Sequence, residues 1–370
     1  MHRHLGGQFP FAALFWPALA AAAAGDAVSS AAARFWEQDS YGTAQEPEGA
    51  TPNRIALELR SVRLRDFTMA NSGVPTLLCL PLALHGAAIA DLAPGYSLVS
   101  ALRGAGIGRL FMADWRSASP EMRYLGIDDY LADLNILVDE LGGLVDLVGL
   151  CQGGWLSLVY AGRFPGKVRK LAMAGAPIDI TARQSRLSAI AEATPTAVFQ
   201  SLVDLGGGRV IGRDVASFWG NNATDANEIR QALQTLLPVG SEEFERLESI
   251  FKKWNSWTIN VPGRYYLEVI EKLYKRNELA RGRFVALGQT IDLSRVRLPI
   301  YLLAGSDDDV VAPEQLLAME RLVGMRPEGC EVASCNHLGL FMGRAILEDH
   351  WPRIARWMQE PLLERNRARL

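Results

Sequence analysis

A cysteine, an aspartate and a histidine, Cys151, Asp308 and His337, follow one another along the chain, each inside a short segment punctuated like a tight turn. Such a set can form a covalent acyl intermediate. A thiolate attacks a carbonyl carbon, an imidazole carries the proton, and a carboxylate fixes the imidazole's tautomer. Cys151 lies in Val148-Gly149-Leu150-Cys151-Gln152-Gly153-Gly154, a G-x-C-x-G-G pattern. Val145 to Val148 reads as a buried strand and Trp155 to Tyr160 has helical spacing, so strand meets helix across a sharp elbow at the cysteine. Gly149 and Gly153, followed by Gly154, are expected to permit that turn. The backbone N–H of Gln152 would then face the oxygen of a bound acyl group, and a thiolate would gain from the positive helix end.

A cysteine nucleophile needs a base, and the chain has five histidines. His2 and His4 stand in the N-terminal tail, and His350 falls in an expected surface helix, where a solvated imidazole is the ordinary role. His337, in Ser334-Cys335-Asn336-His337-Leu338-Gly339, sits between the last expected strand and the last expected helix and is the expected base. Leu84 and His85 follow the strand ending near Leu80 and are assigned, with Gln152, as backbone donors of an oxyanion hole. In Gly305-Ser306-Asp307-Asp308-Asp309-Val310-Val311-Ala312-Pro313, the spacing G-x-x-D-x-x-V selects Asp308 as the orienting acid. Asp307 and Asp309 are expected to cap the next helix or to face solvent. The order Cys151, Asp308, His337 matches the Ser, Asp/Glu, His order of α/β-hydrolases, with cysteine in place of serine.

These residues need elements to hold them. Apolar runs at 75–80, 109–113, 145–148, 168–173 and 300–303 read as buried parallel strands, and Ala56 to Phe67 as a half-exposed edge strand. Ile127 to Leu141 has Ile127, Tyr130, Leu131, Leu134, Ile136, Leu137 and Leu141 at the spacing of one helix face. Strand and helix alternate, which indicates an α/β protein: an α/β-hydrolase fold, with a mostly parallel doubly wound sheet. The alternation fails between about 178 and 293, where helix-like text rich in aromatics, including Phe199, Phe218, Trp219, Phe251, Trp254 and Trp257, reads as an inserted, mainly helical lid. Phe341 to Met358 reads as a closing amphipathic helix. The expected division is an apolar, Ala-rich extension and linker over 1–50 and a catalytic domain over 51–370.

With 370 residues, 49% of them hydrophobic, the chain can bury a large core, and a net charge of −3 gives no support for nucleic-acid binding. None of the four cysteines, Cys79, Cys151, Cys330 and Cys335, has the paired spacing of a metal site, so no metal is expected. Cys79 reads as a buried small hydrophobe, and a working thiol suits a reduced, cytoplasmic setting. The N-terminus superficially resembles a signal peptide, but Pro10 and Pro17 interrupt its apolar stretch, short of the ~20 residues a spanning helix needs. An Ala-rich helix lying on an apolar surface or partner is the preferred reading.

From Leu77 to Met358 the chain resembles the polyhydroxyalkanoate (poly-3-hydroxybutyrate) synthases, in particular the catalytic subunit of their short two-component type. Besides the Gly149 to Gly154 box, the resemblance rests on Ile89-Ala90-Asp91-Leu92, Met112-Ala113-Asp114-Trp115, Ile127-Asp128-Asp129-Tyr130 and Phe164-Pro165-Gly166-Lys167-Val168-Arg169. Further blocks are Trp254-Asn255, Asn260-Val261-Pro262-Gly263, Tyr274, Asn277-Glu278-Leu279 and Ile291-Asp292-Leu293. It implies acyl transfer from a 3-hydroxyacyl-CoA, 3-hydroxybutyryl-CoA foremost, to Cys151, then attack by a hydroxyl group that lengthens a polyester and releases CoA. No cofactor is implied beyond the CoA thioester substrate. The implied partners are the growing polyester, a second synthase subunit or a homodimer, and the surface of a cytoplasmic granule. Asp308 would orient His337 or help deprotonate the incoming 3-hydroxyl.

The chain departs from the family pattern in places. His85-Gly86-Ala87-Ala88 stands where the family has Asn and then a basic residue, and Trp257 where it has an aspartate. The apolar N-terminal extension is a third departure. An intracellular polyhydroxyalkanoate depolymerase, or another thiol hydrolase of this fold, would share the triad and pass the acyl group to water. Gly153-Gly154 and the run of synthase-like blocks favour the transferase. A non-catalytic granule-associated protein is the remaining alternative, and the intact triad argues against it.

Overall fold

A computed structural model of the chain describes residues 46–219 and 225–362, without the side chains of 217–219. The expectations for the N-terminal extension, for His2 and His4 and for the Phe218 and Trp219 rings lie outside those residues. Eight strands make one sheet: β1 (Arg54–Glu58), β2 (Val62–Asp66), β3 (Thr76–Cys79), β4 (Leu110–Trp115), β5 (Val145–Leu150), β6 (Val168–Ala174), β7 (Ile300–Gly305) and β8 (Gly329–Ala333). Their spatial order is β1-β2-β4-β3-β5-β6-β7-β8. From β4 to β8 all neighbours are parallel, and β2, paired antiparallel with both β1 and β4, is the one strand that runs against the rest.

Every residue of β3, β4 and β5 is buried. Helices cover both faces of the central strands, which is why their sequences are continuous apolar runs and not alternating ones. Asp146 interrupts β5, and its carboxylate is held by Arg169, whose Nε lies 2.8 Å from Oδ1. Arg169 also donates to the Met358 carbonyl at 2.7 Å, which ties the sheet to the last helix.

Several local expectations are corrected. The single edge strand over 56–67 is a hairpin, reversing where Leu59 N–H reaches the Val62 carbonyl at 2.8 Å, and β1 alone is the exposed edge. In the helix Ile127–Glu140, Ile136 is 44% exposed while Val138 is buried. Two residues beyond Leu134 is about 200° around a helix, so Ile136 must face away from the buried stripe. The closing helix is two, Gly339–Met342 and Arg344–Gln359, broken at Gly343, where a Cβ would stand 2.5 Å from the Gly339 carbonyl. His350 is not a free solvated imidazole: its Nδ1 bonds Glu331, which Arg353 also reaches at 3.0 Å.

Between β6 and β7 the chain leaves the sheet and builds a cap. It contains the helices Arg186–Ala193, Thr196–Leu205, Gly212–Trp219, Ala226–Leu233, Glu242–Ser256 and Gly263–Glu268, the last running into a π-helix over Val269–Lys275. A two-stranded ribbon, Arg209–Val210 with Val261–Pro262, fastens it internally. Among the described residues no helix is long and apolar enough to cross a membrane.

The cap is pinned where it departs and returns. Buried Asn277, at φ 48°, accepts from Ile180 N–H at 3.2 Å and donates to Asp179 Oδ1 at 2.7 Å. Asn277→Ala should lower stability by about 1–3 kcal/mol, because it leaves the Ile180 N–H without its acceptor, takes one of three donors from Asp179 Oδ1 and puts alanine in a backbone conformation it disfavours. The expected readout is a lower urea midpoint, with Asn277→Gly no better than partly restored, since glycine relieves only the backbone.

Candidate active site

β5 ends at Leu150 and a helix starts at Gln152, which leaves Cys151 alone to turn the chain. It does so at φ 49° and ψ −118°. For a residue with a Cβ that is a strained backbone. It is held by bonds on both sides: Cys151 N–H donates to the Ala174 carbonyl, and the Cys151 carbonyl accepts from Gly154 N–H, both at 2.9 Å. The glycines serve differently from expectation, since Gly149, Gly153 and Gly154 all lie outside the positive-φ region. They allow close approach. A Cβ on Gly153 would stand 2.1 Å from the Cys79 carbonyl oxygen, one on Gly154 2.4 Å from Ala176 Cβ, and one on Gly149 2.5 Å from Gly154 Cα.

The structure brings the three distant residues together. Asp308 follows β7, His337 follows β8, and their side chains meet with His337 Nδ1 2.7 Å from Asp308 Oδ2. Cys151 is the second group whose side chain acts on the protonation of the same imidazole. All three are buried, at 8% exposure for Cys151, 7% for His337 and 6% for Asp308. The other carboxylate oxygen, Oδ1, accepts from Val310 N–H at 3.0 Å and Val311 N–H at 2.8 Å, so Asp308 cannot swing away. Asp307 and Asp309 are exposed, and Asp309 pairs with Arg186 at 2.9 Å. The following helix, Pro313–Leu317, has no side-chain cap.

Burial by itself would make His337 harder to protonate. The Asp308 carboxylate, then the charge of Cys151 and the hydrogen bonds to both, outweigh it and hold the imidazole well above its ordinary range. Gly175, at φ 54°, leaves room for the ring, since a Cβ there would lie 3.2 Å from His337 Cε1. Burial pushes the thiols of Cys79 and Cys335 up to about 12, and the nearby Asp308 and Asp307 add to the effect at Cys335. Both are therefore neutral thiols at pH 7.

Cys151 and His337 open onto a cavity of about 170 Å³ whose wall is mostly apolar, with Leu82, Leu84, Ile89, Val210, Trp254 and Ile270 among its residues. Leu84 and His85 stand on this wall with Cys151 and Gln152. The Leu84 carbonyl accepts from Ile259 N–H at 2.9 Å, while the N–H groups of Leu84 and His85 meet no acceptor among the described residues. Gln152 N–H, at the first helical position, has no partner within its own helix. Among the described residues no group of three or more candidate metal ligands occurs.

Sequence reasoning missed how the cap grips the elbow. The Gln152 side chain donates to Tyr274 Oη at 3.0 Å and accepts from Trp155 Nε1, so a π-helical tyrosine is joined to the residue behind the nucleophile. Tyr274 stood out only as part of a resemblance, because no local pattern signals a contact across 122 positions. The tyrosine hydroxyl at 265, also on the wall, was missed for the same reason.

The strand order, with residues placed after β5, β7 and β8, defines a protein of the α/β-hydrolase fold. Solved structures agree: a monoacylglycerol lipase from Paleococcus ferrophilus has a TM-score of 0.51 at 17% identity, over 80% of this chain and 98% of its own. A putative lipase from Acinetobacter baumannii has 0.50 at 15%, over 83% and 93%. By sequence the chain is similar to poly(3-hydroxyalkanoate) polymerases. It is 27% identical over 324 residues to the poly(3-hydroxyalkanoate) polymerase subunit PhaC of Haloferax mediterranei, covering 84% of this chain and 64% of that one. To the subunit of the same name from Synechocystis sp. it is 28% identical over 292 residues, covering 73% and 74%. The family model described as PHB de-polymerase C-terminus matches residues 214–361.

Because Asp308 is the leading partner that raises His337, Asp308→Asn should move the imidazole's titration to lower pH. NMR of the His337 ring protons checks this. The wild-type midpoint is expected above about 6.5, and an unchanged midpoint in the variant would contradict the pairing described.

Proposed function

We propose that the chain is an acyltransferase that polymerises 3-hydroxyacyl-CoA into polyhydroxyalkanoate through a thioester on Cys151. The observation that carries this reading is a Cys–His–Asp array at the floor of an apolar cavity, in a chain whose sequence relatives are named poly(3-hydroxyalkanoate) polymerase. The Cys151 thiol gives its proton to His337 and its sulfur attacks the thioester carbonyl carbon. The carbon–sulfur bond to CoA then breaks, and the CoA sulfur leaves with the proton from His337. Thioester is exchanged for thioester, so the acyl group is not trapped. Gln152 N–H, with Leu84 and His85 N–H, is assigned to the transient oxyanion.

In the second half, a 3-hydroxyl group attacks the Cys151 thioester, its proton passes to His337 and on to the departing Cys151 sulfur, and an ester bond forms. With both Asp308 oxygens engaged, its role is to orient His337 and stabilise the imidazolium. The apolar wall disfavours water as the competing acceptor. The reaction needs no bound cofactor, and its place is the cytoplasm at the surface of the polyester granule. A second subunit or a second copy of the chain is a further partner of this reading.

Purified protein given 3-hydroxybutyryl-CoA should release CoA and build polymer, measured by thiol titration and by polymer mass. Cys151→Ala should lower CoA release by at least about 10³-fold. Release of CoA with only monomeric 3-hydroxy acid would instead make the chain a thiol hydrolase, the reading that the name of the matching family model favours.

A further inference from the structure

Most polar groups on the cavity wall are committed to the protein. His337 is bonded to Asp308, Gln152 to Tyr274 and Trp155, and Arg186 to Asp309. Two are not. Tyr265 is 2% exposed and its hydroxyl has no hydrogen-bond partner among the described residues. His85 uses only one of its ring nitrogens, Nδ1, which lies 3.2 Å from the Trp257 carbonyl oxygen. Uncommitted polar groups in an otherwise apolar wall imply a ligand that brings polar atoms of its own.

The chemistry at His85 is directional. A carbonyl oxygen can only accept, so Nδ1 carries the proton and, in a neutral ring, Nε2 offers a lone pair. Burial disfavours the charged ring and keeps it neutral, against a smaller opposite effect of the Trp257 carbonyl. The ring is also fixed. It packs on Trp254 with centroids 4.6 Å apart, and the Trp257 ring sits so close to Gly86 that a Cβ there would be 2.4 Å from it. A plain acyl chain would leave Nε2 unpaired, whereas a hydroxyacyl chain supplies a donor. Resting on the acyl-transfer reading above, we propose that His85 Nε2 accepts a hydrogen bond from the substrate's hydroxyl group and so selects hydroxyacyl over plain acyl thioesters.

The test compares 3-hydroxybutyryl-CoA with butyryl-CoA as acyl donors to the full chain, following CoA release in a single turnover. The wild type should prefer the hydroxyacyl donor by about tenfold or more in kcat/KM. His85→Phe should bring the ratio close to one, and His85→Gln, whose amide oxygen can accept, should restore most of it. Rates lowered equally for both donors, with the ratio unchanged, would mark a merely structural role for His85 and count against the proposal. An independent measurement uses Cys151→Ala protein with nitrogen-15 histidine. The Nε2 resonance of His85 should shift on adding 3-hydroxybutyryl-CoA and stay in place with butyryl-CoA. A wild-type ratio near one, an unchanged ratio in His85→Phe, or equal shifts with both ligands would overturn the proposal while leaving acyl transfer intact. No Cys151-dependent CoA release from either donor would overturn the acyl-transfer reading, and this inference with it.

Discussion

The backbone at Cys151 is the constraint on which the rest of the site depends. A side chain at φ 49° is unfavourable by about 1–3 kcal/mol, and that conformation persists only where its surroundings over-determine it. Here the surroundings are the middle of the sheet. β5 pairs with β3 on one side and β6 on the other, and the ladder with β6 is extended by the Cys151 N–H bond to Ala174. Gly153 lets the following helix press against the end of β3, and Gly154 lets it press against Ala176. A larger residue at either place would push the helix off the sheet and release the turn. The strained residue is then free to present its sulfur to the cavity, with the first N–H of the helix beside it.

Asp308 and His337 extend that logic. Each leaves the C-terminal end of its own parallel strand, so the sheet sets their separation from Cys151 without any contact between the loops being needed first. Two backbone N–H groups fill one Asp308 oxygen and leave the other for the imidazole. A carboxylate held in that way is a fixed charge. This bears on the choice between orienting His337 and deprotonating a substrate hydroxyl, because the second role would require an oxygen with room to approach substrate. The cap adds the last fixed point, through Tyr274 and Gln152, so that the cover of the cavity and the turn of the elbow share one hydrogen-bonded link.

The scaffold was legible in the sequence for a physical reason. Strands covered on both faces must be apolar throughout, and five of the eight were marked by such runs. The triad was legible because each member lies in a turn with its own glycine or proline punctuation, and because chain order mirrors strand order. Period alone does not reveal where a strand reverses, and the hairpin at 59–61 was read as one strand. It also does not reveal long-range polar contacts. Glu331 beside His350, Tyr274 on Gln152 and the Trp257 carbonyl on His85 are all meetings of distant segments, the last across 172 positions. Glycines show the same limit. Sequence marks that a Cβ is absent, while only packing tells whether the reason is φ or proximity.

Two departures from the synthase pattern turn out to be neighbours. The Trp257 ring fills the space a side chain at Gly86 would need. The changes are therefore not independent: with Trp257 in place, no basic residue fits at 86, and with a basic side chain at 86 the ring could not lie there. His85, on the cavity wall beside them, packs on Trp254 with its Nδ1 turned to the Trp257 carbonyl. The mostly apolar wall thus carries, at His85, an acceptor whose direction is fixed. Recognition in such a wall depends on where the substrate places its own donor, because the protein side can no longer rearrange to meet it.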